Sequence, residues 1–310
     1  MSIAGAVNRA ERIAALNFDY AAQQKARVER CNLCGETVFV GLTHRDRYGY
    51  PASASGCTRC GLVFLDPVMT AAAYGDFYAG TYRPLVSAFH GRLIDARSIQ
   101  QEQKEYAVER GDLLAPYVEG RGYRTLLDIG GSTGVVADAF ARRFGLRATL
   151  VDPAPLETAQ ARALGLETIE GLVEQVDLGN RQFDVVVLCQ TVDHLLDVTG
   201  TLRRLRDLIT PGGVFFIDIV DFRAAYLRNG SVEAAIKIDH PYYLTEATMT
   251  AYLERTGFTV ARADYAADHL HVSYAAQPSA PRPDALPPAA TTEALWREIR
   301  SVQNAPAPRS

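Results

Sequence analysis

Short apolar runs alternate with helical segments through the second half of the chain, and this alternation restricts the fold more than any other feature of the sequence. The runs are YRTLLDIG, RATLVDP, LETIEG, FDVVVLCQ and GGVFFIDIV, and the segments VVADAFARRFG, PLETAQARALG and TGTLRRLRDLIT separate them. Strands that alternate with helices favour a doubly wound parallel sheet with right-handed crossovers. The later stretch FTVARADYAADHLHVSYAAQ predicts two antiparallel strands joined by a short turn. The prediction is therefore an α/β fold with a seven-stranded sheet and a C-terminal antiparallel hairpin.

A glycine-rich loop follows the first apolar run directly, in the stretch LLDIGGSTG. A dinucleotide-binding fingerprint, G-x-G-x-x-G, needs a spacing that no register of Gly130, Gly131 and Gly134 provides. The G-K-S/T end of a P-loop is also absent. The pattern that is present is acid-x-Gly-x-x-x-Gly, which begins at Asp128, and a second acid, Asp152, ends the next apolar run.

These motifs resemble those of the class I S-adenosylmethionine-dependent methyltransferases, and the resemblance covers roughly residues 120–276. FDVVVLCQTVDHLLD and LRRLRDLITPGGVFFID are similar to that family's fourth strand, the helix after it and the L-x-P-G-G turn into its fifth strand. The resemblance implies S-adenosylmethionine as the cofactor and a Rossmann-like methyltransferase sheet. One position departs from the family loop, since Ser132 stands where the family has its middle glycine.

Position by position, the resemblance implies which residues contact the cofactor. The acid after the second strand accepts hydrogen bonds from ribose hydroxyls, as its counterpart does in dinucleotide folds. The implied set is Asp128, Gly130, Gly131 and Gly134 at the methionine end, Asp152 and Pro153 at the ribose, Gly171 and Leu172 at the adenine, and Gln190, Thr191 and His194 on the sulfonium side.

Four of the five cysteines form two C-x2-C pairs, CNLC and CTRC, that are separated by a zinc-ribbon-like gap. Four thiolates satisfy a closed tetrahedral zinc site, and disulfides are the weaker interpretation in a reducing compartment. We predict a structural Zn²⁺ bound by Cys31, Cys34, Cys57 and Cys60, although two cysteine pairs also suit an iron centre. Cys189 lies inside an apolar run and is predicted to be a buried thiol.

The stretch CGLVFLDP and the aromatic residues after it resemble methyltransferases with an N-terminal zinc-binding module, among them the sugar C-methyltransferases. The resemblance implies a small hydroxylated acceptor, a sugar or nucleotide-sugar, methylated at oxygen or carbon. Asp239 and His240 stand where those relatives have a Glu-His pair, and Lys237 replaces their preceding Tyr. The hypothesis is that His240, oriented by Asp239 or another nearby carboxylate, is the general base. His194 is its rival, and each histidine also suits a purely structural role.

The expected organisation is an N-terminal helix (1–30), a zinc-binding module (31–66), an aromatic linker and helical lid (67–119), the methyltransferase domain (120–276) and a Pro/Ala-rich tail (277–310). Within the tail, EALWREIR is expected to form a short helix that docks through Trp296. No apolar run reaches the ~18 residues that span a bilayer, and charged residues interrupt the N-terminal stretch, so we expect a cytoplasmic protein.

Two other functions fit parts of the sequence. One is an RNA methyltransferase that grips RNA with the zinc ribbon, and the other is a non-catalytic scaffold built on the zinc module. The formal net charge of −4 and the absence of a long basic run disfavour nucleic acid as a partner. CQTVDH also stands where enzymes that methylate exocyclic amines have an Asn/Asp-Pro-Pro-aromatic signature. The intact cofactor loop with both acids disfavours the scaffold.

Overall fold

The structure is a computed structural model, and it describes residues 8–304. The strands are β1 (Lys25–Ala26), β2 (Phe39–Thr43), β3 (Ala54–Cys57), β4 (Val63–Leu65), β5 (Val68–Met69), β6 (Thr125–Ile129), β7 (Arg147–Asp152), β8 (Glu167–Glu170), β9 (Phe183–Leu188), β10 (Ile209–Val220), β11 (Tyr242–Tyr243), β12 (Phe258–Tyr265) and β13 (His271–Pro278). The helices are α1 (Arg9–Ala14), α2 (Ala71–Gly80), α3 (Tyr82–His90), α4 (Ala96–Val118), α5 (Val135–Phe144), α6 (Pro155–Ala163), α7 (Val198–Asp207), α8 (Phe222–Asn229), α9 (Glu246–Thr256) and α10 (Ala289–Asn304). No helix in this part of the chain combines the length and the apolar composition needed to cross a membrane.

Seven strands form the central sheet in the order β12-β13-β10-β9-β6-β7-β8. The five strands from β10 to β8 are parallel, whereas β13 runs antiparallel to β10 and β12 antiparallel to β13. Apolar side chains of β9 and β10, including Val186 and Phe215, are fully buried, as expected of strands covered on both faces. The predicted α/β sheet with a C-terminal hairpin is confirmed.

A second sheet joins the cysteine-bearing segment to a distant part of the chain. Its order is β11-β4-β3-β2, and every pairing in it is antiparallel. Cys57 ends β3, and β11 pairs with β4 in the register Tyr242 to Phe64. The backbone N–H of Leu65 also donates to the carbonyl of Pro241, at 3.0 Å. The cysteine segment therefore supports the backbone that immediately follows His240.

The N-terminal part differs from the predicted helix over residues 1–30. Within the described residues, α1 covers only Arg9–Ala14, and residues 1–7 lie outside the description. Asn8 caps the helix through a capping box with Glu11, and Asn17 at φ 52° takes a left-handed conformation that ends helices. The alanine-rich composition favours a longer helix. Intrinsic helix propensity is a weak guide, however, and tertiary contacts override it here.

The aromatic stretch and the tail are also more ordered than the sequence predicts. The residues predicted as an aromatic linker form α2 and α3, and α2 begins at an N-cap where the Thr70 side chain accepts from a backbone N–H. The predicted tail contributes the end of β13 and the 16-residue helix α10, which is longer than the expected short helix. Its Trp296 does dock: a Cβ added at Gly56 would lie only 2.2 Å from the Trp296 ring.

Candidate cofactor and acceptor site

A cavity of about 530 Å³ opens at the carboxyl ends of the parallel strands. The loops after β6, β7, β8 and β9 form its floor, and residues of α2, α3 and α4 cover it. Ligands of open α/β sheets bind at this edge, because consecutive strands deliver their following loops to the same place.

Ten of the eleven residues predicted to contact the cofactor line this cavity. They are Asp128, Gly130, Gly131, Asp152, Pro153, Gly171, Leu172, Gln190, Thr191 and His194. Gly134 does not line it. A Cβ at Gly134 would lie 2.7 Å from the Leu166 side chain and 2.8 Å from Ala161, so this glycine permits close packing between α5 and α6.

The glycine loop leaves no room for side chains at its first two positions. Gly130 has φ 70°, and a Cβ there would lie 2.3 Å from the Thr191 hydroxyl. A Cβ at Gly131 would lie 2.5 Å from a carboxylate oxygen of Asp128. Ser132, at φ 51°, has a buried hydroxyl for which residues 8–304 supply no hydrogen-bond partner. The loop backbone therefore approaches the cavity closely and presents an unsatisfied polar atom beside it.

Two buried carboxyl groups lie beneath this loop. The backbone N–H groups of Ser132 and Ala154 donate to Asp152 at 2.9 and 2.8 Å, whereas Asp128 Oδ2 is buried without a partner among the described residues. Burial raises the pKa of Asp128 to about 7, with the charge of Asp152 adding to the effect, and burial raises the pKa of Asp152 to about 6. An unsatisfied buried carboxylate is costly unless a donor or a cation meets it, so this end of the cavity suits a cationic or hydrogen-bond-donating group.

We expect Asp128→Asn to stabilise the ligand-free protein, and to do so more at about pH 8 than at about pH 4. The folded-state pKa near 7 exceeds the unfolded value of ~3.9, so stability falls as the pH rises between these values. The amide removes that loss, which is on the order of a few kcal/mol. Denaturant unfolding at both pH values measures the difference. An equal effect at both pH values, or an equal response of the exposed control Asp112→Asn, would contradict it.

Tyrosines of α2 and α3 form the wall of the cavity opposite the sheet. Tyr74, Tyr78 and Tyr82 line it, and Tyr78 contacts His194 directly, with its hydroxyl 2.8 Å from Nδ1. Among nearby aromatic residues, Phe77 packs in the core, and Tyr242 and Tyr243 line a different cavity.

The two candidate bases lie side by side, with ring centroids 4.5 Å apart. His194 Nδ1 is 2.9 Å from the carbonyl oxygen of Asp239, and the Tyr78 hydroxyl donates to the same carbonyl at 3.0 Å. Burial and the neighbouring His240 lower the pKa of His194 to about 4. His194 is therefore a neutral imidazole at neutral pH.

His240 is held among charged side chains and does not line the 530 Å³ cavity. Its Nδ1 lies 2.7 Å from Asp193 Oδ2, and its Nε2 lies 3.3 Å from both Asp239 Oδ2 and the ammonium of Lys237. The carboxylate that orients His240 most closely is thus Asp193, which the sequence hypothesis did not single out, although it precedes His194 in CQTVDH.

The side chains of Asp193, His194 and His240 come within 4.8 Å of one another, a spacing that a divalent cation can use. The Lys237 ammonium beside His240 opposes a second positive charge there. The observed contacts form a hydrogen-bonded network that links the two histidines to two aspartates.

The four paired cysteines converge as a separate cluster. Their Sγ atoms all lie within 4.8 Å of one another, with Cys31 and Cys60 at 3.6 Å and Cys34 and Cys57 at 3.5 Å. These separations exceed a disulfide bond of ~2.05 Å and approach the ~3.8 Å between sulfurs around a tetrahedral zinc with ~2.3 Å bonds. The cluster fits a four-coordinate metal. Cys189 lies apart from it, half-buried in the wall of the 530 Å³ cavity.

Asp218 is a site residue that the sequence analysis missed. It is fully buried at the end of β10, accepts from the backbone N–H of Gln190 at 2.6 Å, and pairs with Arg110 of α4 at 3.3 Å. The Tyr106 hydroxyl also donates to it. Asp218 thereby fixes the cover helix α4 against the loop after β9, through contacts between residues far apart in sequence.

Comparisons with known proteins agree with this architecture. The profile of a family described as "Methyltransferase domain" matches residues 94–263. A ubiquinone biosynthesis O-methyltransferase from Methylobacterium nodulans is 29% identical over 154 residues, covering 44% of this chain and 60% of that protein. One from Xanthomonas oryzae pv. oryzae is 29% identical over 159 residues, covering 49% and 65%. The chain therefore spans about three fifths of the length of such curated relatives.

Among solved structures, the PH0226 protein from Pyrococcus horikoshii OT3 superimposes with a TM-score of 0.50 at 17% identity, covering 58% of this chain and 92% of that one. At this identity the likeness establishes the fold alone. The family profile covers more than half of the chain, including the glycine loop, both buried acids and His194. The chain belongs to the methyltransferase-domain family, that of the class I S-adenosylmethionine-dependent methyltransferases.

Proposed function

We propose that the chain transfers the methyl group of S-adenosylmethionine to a hydroxyl oxygen of a small acceptor, with a sugar or nucleotide-sugar as the first candidate. The observation that carries the proposal is the pair of buried acids beneath a side-chain-free glycine loop, at the strand edge of a methyltransferase sheet. Oxygen is favoured as the methylated atom by the names of the O-methyltransferase relatives and by a neutral histidine in the cavity wall.

The residues around the cavity fit this cofactor. Asp128 Oδ2 and the Ser132 hydroxyl are buried polar atoms in need of partners, and the cofactor's amino-acid end offers an ammonium and a carboxylate. Asp152 is held by two backbone N–H groups and would accept from the ribose hydroxyls. When bound, S-adenosylmethionine supplies an electrophilic methyl group, so the protein has to provide position and a base.

His194 is the base in this proposal, in place of the sequence hypothesis of His240. A carbonyl oxygen only accepts hydrogen bonds, so the contact with the Asp239 carbonyl favours the tautomer that carries its hydrogen on Nδ1. That tautomer leaves the Nε2 lone pair to take a proton from an acceptor hydroxyl. His240, bound to Asp193 and packed on the His194 ring, is then a positioning residue.

The cysteine cluster is proposed to bind one structural Zn²⁺. Because β4 pairs with β11, the cysteine module also positions the backbone that follows His240. The metal has no open ligand position when four thiolates bind it, so its contribution is to the shape of the histidine network and not to the chemistry.

Replacing Asp152 by Ala tests the cofactor assignment. We expect the variant to bind S-adenosylhomocysteine more weakly by about 1.5–3 kcal/mol, the scale of a hydrogen bond to a charged group. Isothermal titration calorimetry measures the loss, with Asp112→Ala as a control on the exposed surface of α4. Equal affinities of Asp152→Ala and wild type would remove Asp152 from the cofactor site.

The acceptor class is tested by incubating the protein and S-adenosylmethionine with nucleotide-sugars, free sugars and phenols in parallel. Mass spectrometry detects the added methyl group, and the proposal expects it on a nucleotide-sugar or sugar. Methylation of the phenols alone would show that the acceptor is aromatic and not a sugar. Methylation of an added RNA alone would show that the substrate is not a small molecule.

A further inference from the structure

A second cavity, of about 290 Å³, adjoins the histidine network and has a markedly cationic lining. Its basic residues are Arg47, Arg228 and Lys237, and Asp193 is the acidic residue among those that line it. Phe222 and other aromatic residues supply an apolar wall. The excess of positive charge around so small a volume favours an anionic occupant.

Arg47 is the residue whose surroundings most clearly require a partner. Its guanidinium carbon lies 3.9 Å from the centroid of the Phe89 ring, and its Nε is buried with no hydrogen-bond partner in residues 8–304. No ion pair with a carboxylate satisfies it within that range. A buried donor left without an acceptor is costly, and a phosphate oxygen in the cavity would relieve that cost.

The other two cations leave donors available to the same cavity. The Lys237 ammonium lies 3.3 Å from His240 Nε2 and forms no ion pair within 4.0 Å among the described residues. Arg228 donates one of its N–H groups to the backbone carbonyl of Asp268. Guanidinium groups bind phosphate oxygens in a planar, two-pronged manner, and an ammonium binds them as a point charge.

The second cavity also lies next to the proposed base. Asp193 and His240 line this cavity, whereas His194 lines the larger one, and the two imidazole rings are 4.5 Å apart. The two rings therefore pack on each other where the cavities adjoin. A molecule anchored in the second cavity would therefore lie beside His240, whose ring packs on the histidine that faces the cofactor cavity.

We propose that the second cavity binds the phosphate or diphosphate group of the acceptor, with Arg47, Arg228 and Lys237 as its ligands. The assignment of this group to the acceptor rests on the proposed function, whereas anion binding in the cavity does not. The lining holds three cationic side chains and one carboxylate side chain. This excess of positive charge matches a doubly charged phosphate ligand better than a singly charged carboxylate ligand.

Titration with inorganic pyrophosphate tests the proposal on the whole chain. Calorimetry should detect binding to wild type, and Arg47→Gln and Arg228→Gln should each weaken it about tenfold, the loss of ~1.4 kcal/mol. Arg228 is exposed, so its replacement does not threaten folding, and Arg203→Gln on the exposed side of α7 is the matched control that should retain wild-type affinity. Arg47→Lys should bind better than Arg47→Gln because it keeps the charge.

Three results would overturn the proposal: no pyrophosphate binding to wild type, equal binding by the variants and wild type, or acetate that binds as tightly as pyrophosphate at the same residues. Affinity for S-adenosylhomocysteine, measured on each variant, reports that the chain remains folded. If wild type binds pyrophosphate but not S-adenosylhomocysteine, the proposed function fails while the anion site stands. If wild type binds S-adenosylhomocysteine but not pyrophosphate, the anion site is rejected and the proposed function stands.

Discussion

Replacing His194 by Asn is expected to lower methyl transfer by about 10²–10⁴-fold, the usual contribution of a general base. Asn keeps a polar side chain that can donate to the Asp239 carbonyl, but it has no lone pair of comparable basicity at the position of Nε2. Affinity for S-adenosylhomocysteine should remain within about threefold, since the variant keeps a polar side chain on the sulfonium side and leaves Asp128 and Asp152 unchanged. Single-turnover rates with the true acceptor, together with calorimetry, separate the two effects.

His240→Asn is the matched control for that experiment. Its loss should be smaller, because His240 orients the His194 ring and does not line the cofactor cavity. A large loss for His240→Asn beside near-normal turnover of His194→Asn would return the base to His240.

The pH dependence of turnover reports on the protonation of His194. Since the pKa of His194 is lowered to about 4, its basic form persists as the pH falls from neutral toward 5. At saturating cofactor, the acid limb of kcat in wild type should therefore lie well below the ordinary histidine pKa of ~6.5. An acid limb at that ordinary value would argue against a buried, neutral His194 as the base.

Removing the metal is expected to unfold the cysteine module and to impair catalysis at a distance. Structural zinc contributes ~10–16 kcal/mol to small modules, which matches or exceeds the total stability of a typical domain, ~5–15 kcal/mol. Elemental analysis should find about one zinc per chain, and Cys57→Ser should abolish it. The strand pairing between β4 and β11 should then open, so hydrogen exchange should accelerate at Tyr242 and Tyr243 while the strands of the central sheet stay protected.

Cys189→Ser is the control, since Cys189 lies outside the cluster and should leave the zinc content unchanged. Metal-free protein with wild-type turnover and unchanged exchange at β11 would show that the cluster supports nothing in the active site. Iron in place of zinc would alter the identity of the metal and leave the structural argument intact.

The central sheet was predictable because each of its strands is a local signal. Thr125–Ile129 and Phe183–Leu188 are short apolar runs bounded by turns, and their alternation with helices predicts a parallel sheet. The N-terminal region was not predictable in the same way. Its alanines favour a helix locally. In the folded chain, however, β1 pairs with β5 and Tyr20 packs into the core, and these long-range contacts leave no local signal in the sequence.

The position of the glycine loop was predictable for the same local reason, whereas the surroundings of the two histidines were not. Asp128 is the penultimate residue of β6 and Asp152 the last residue of β7, so the topology alone brings them to one edge of the sheet. Tyr78 and His194 are 116 residues apart in sequence, and no periodic sequence pattern indicates that they are in contact. Which histidine faces the cavity depends likewise on how the segment around His240 packs against the cysteine module, and this is a long-range property of the fold.

The most direct measurement of the central claim is a calorimetric titration of the wild-type chain with S-adenosylhomocysteine and, separately, with NAD. The proposed function requires one S-adenosylhomocysteine site per chain, lost or strongly weakened in Asp152→Ala, and no comparable binding of NAD. Absence of S-adenosylhomocysteine binding, or preferential binding of NAD, would contradict it.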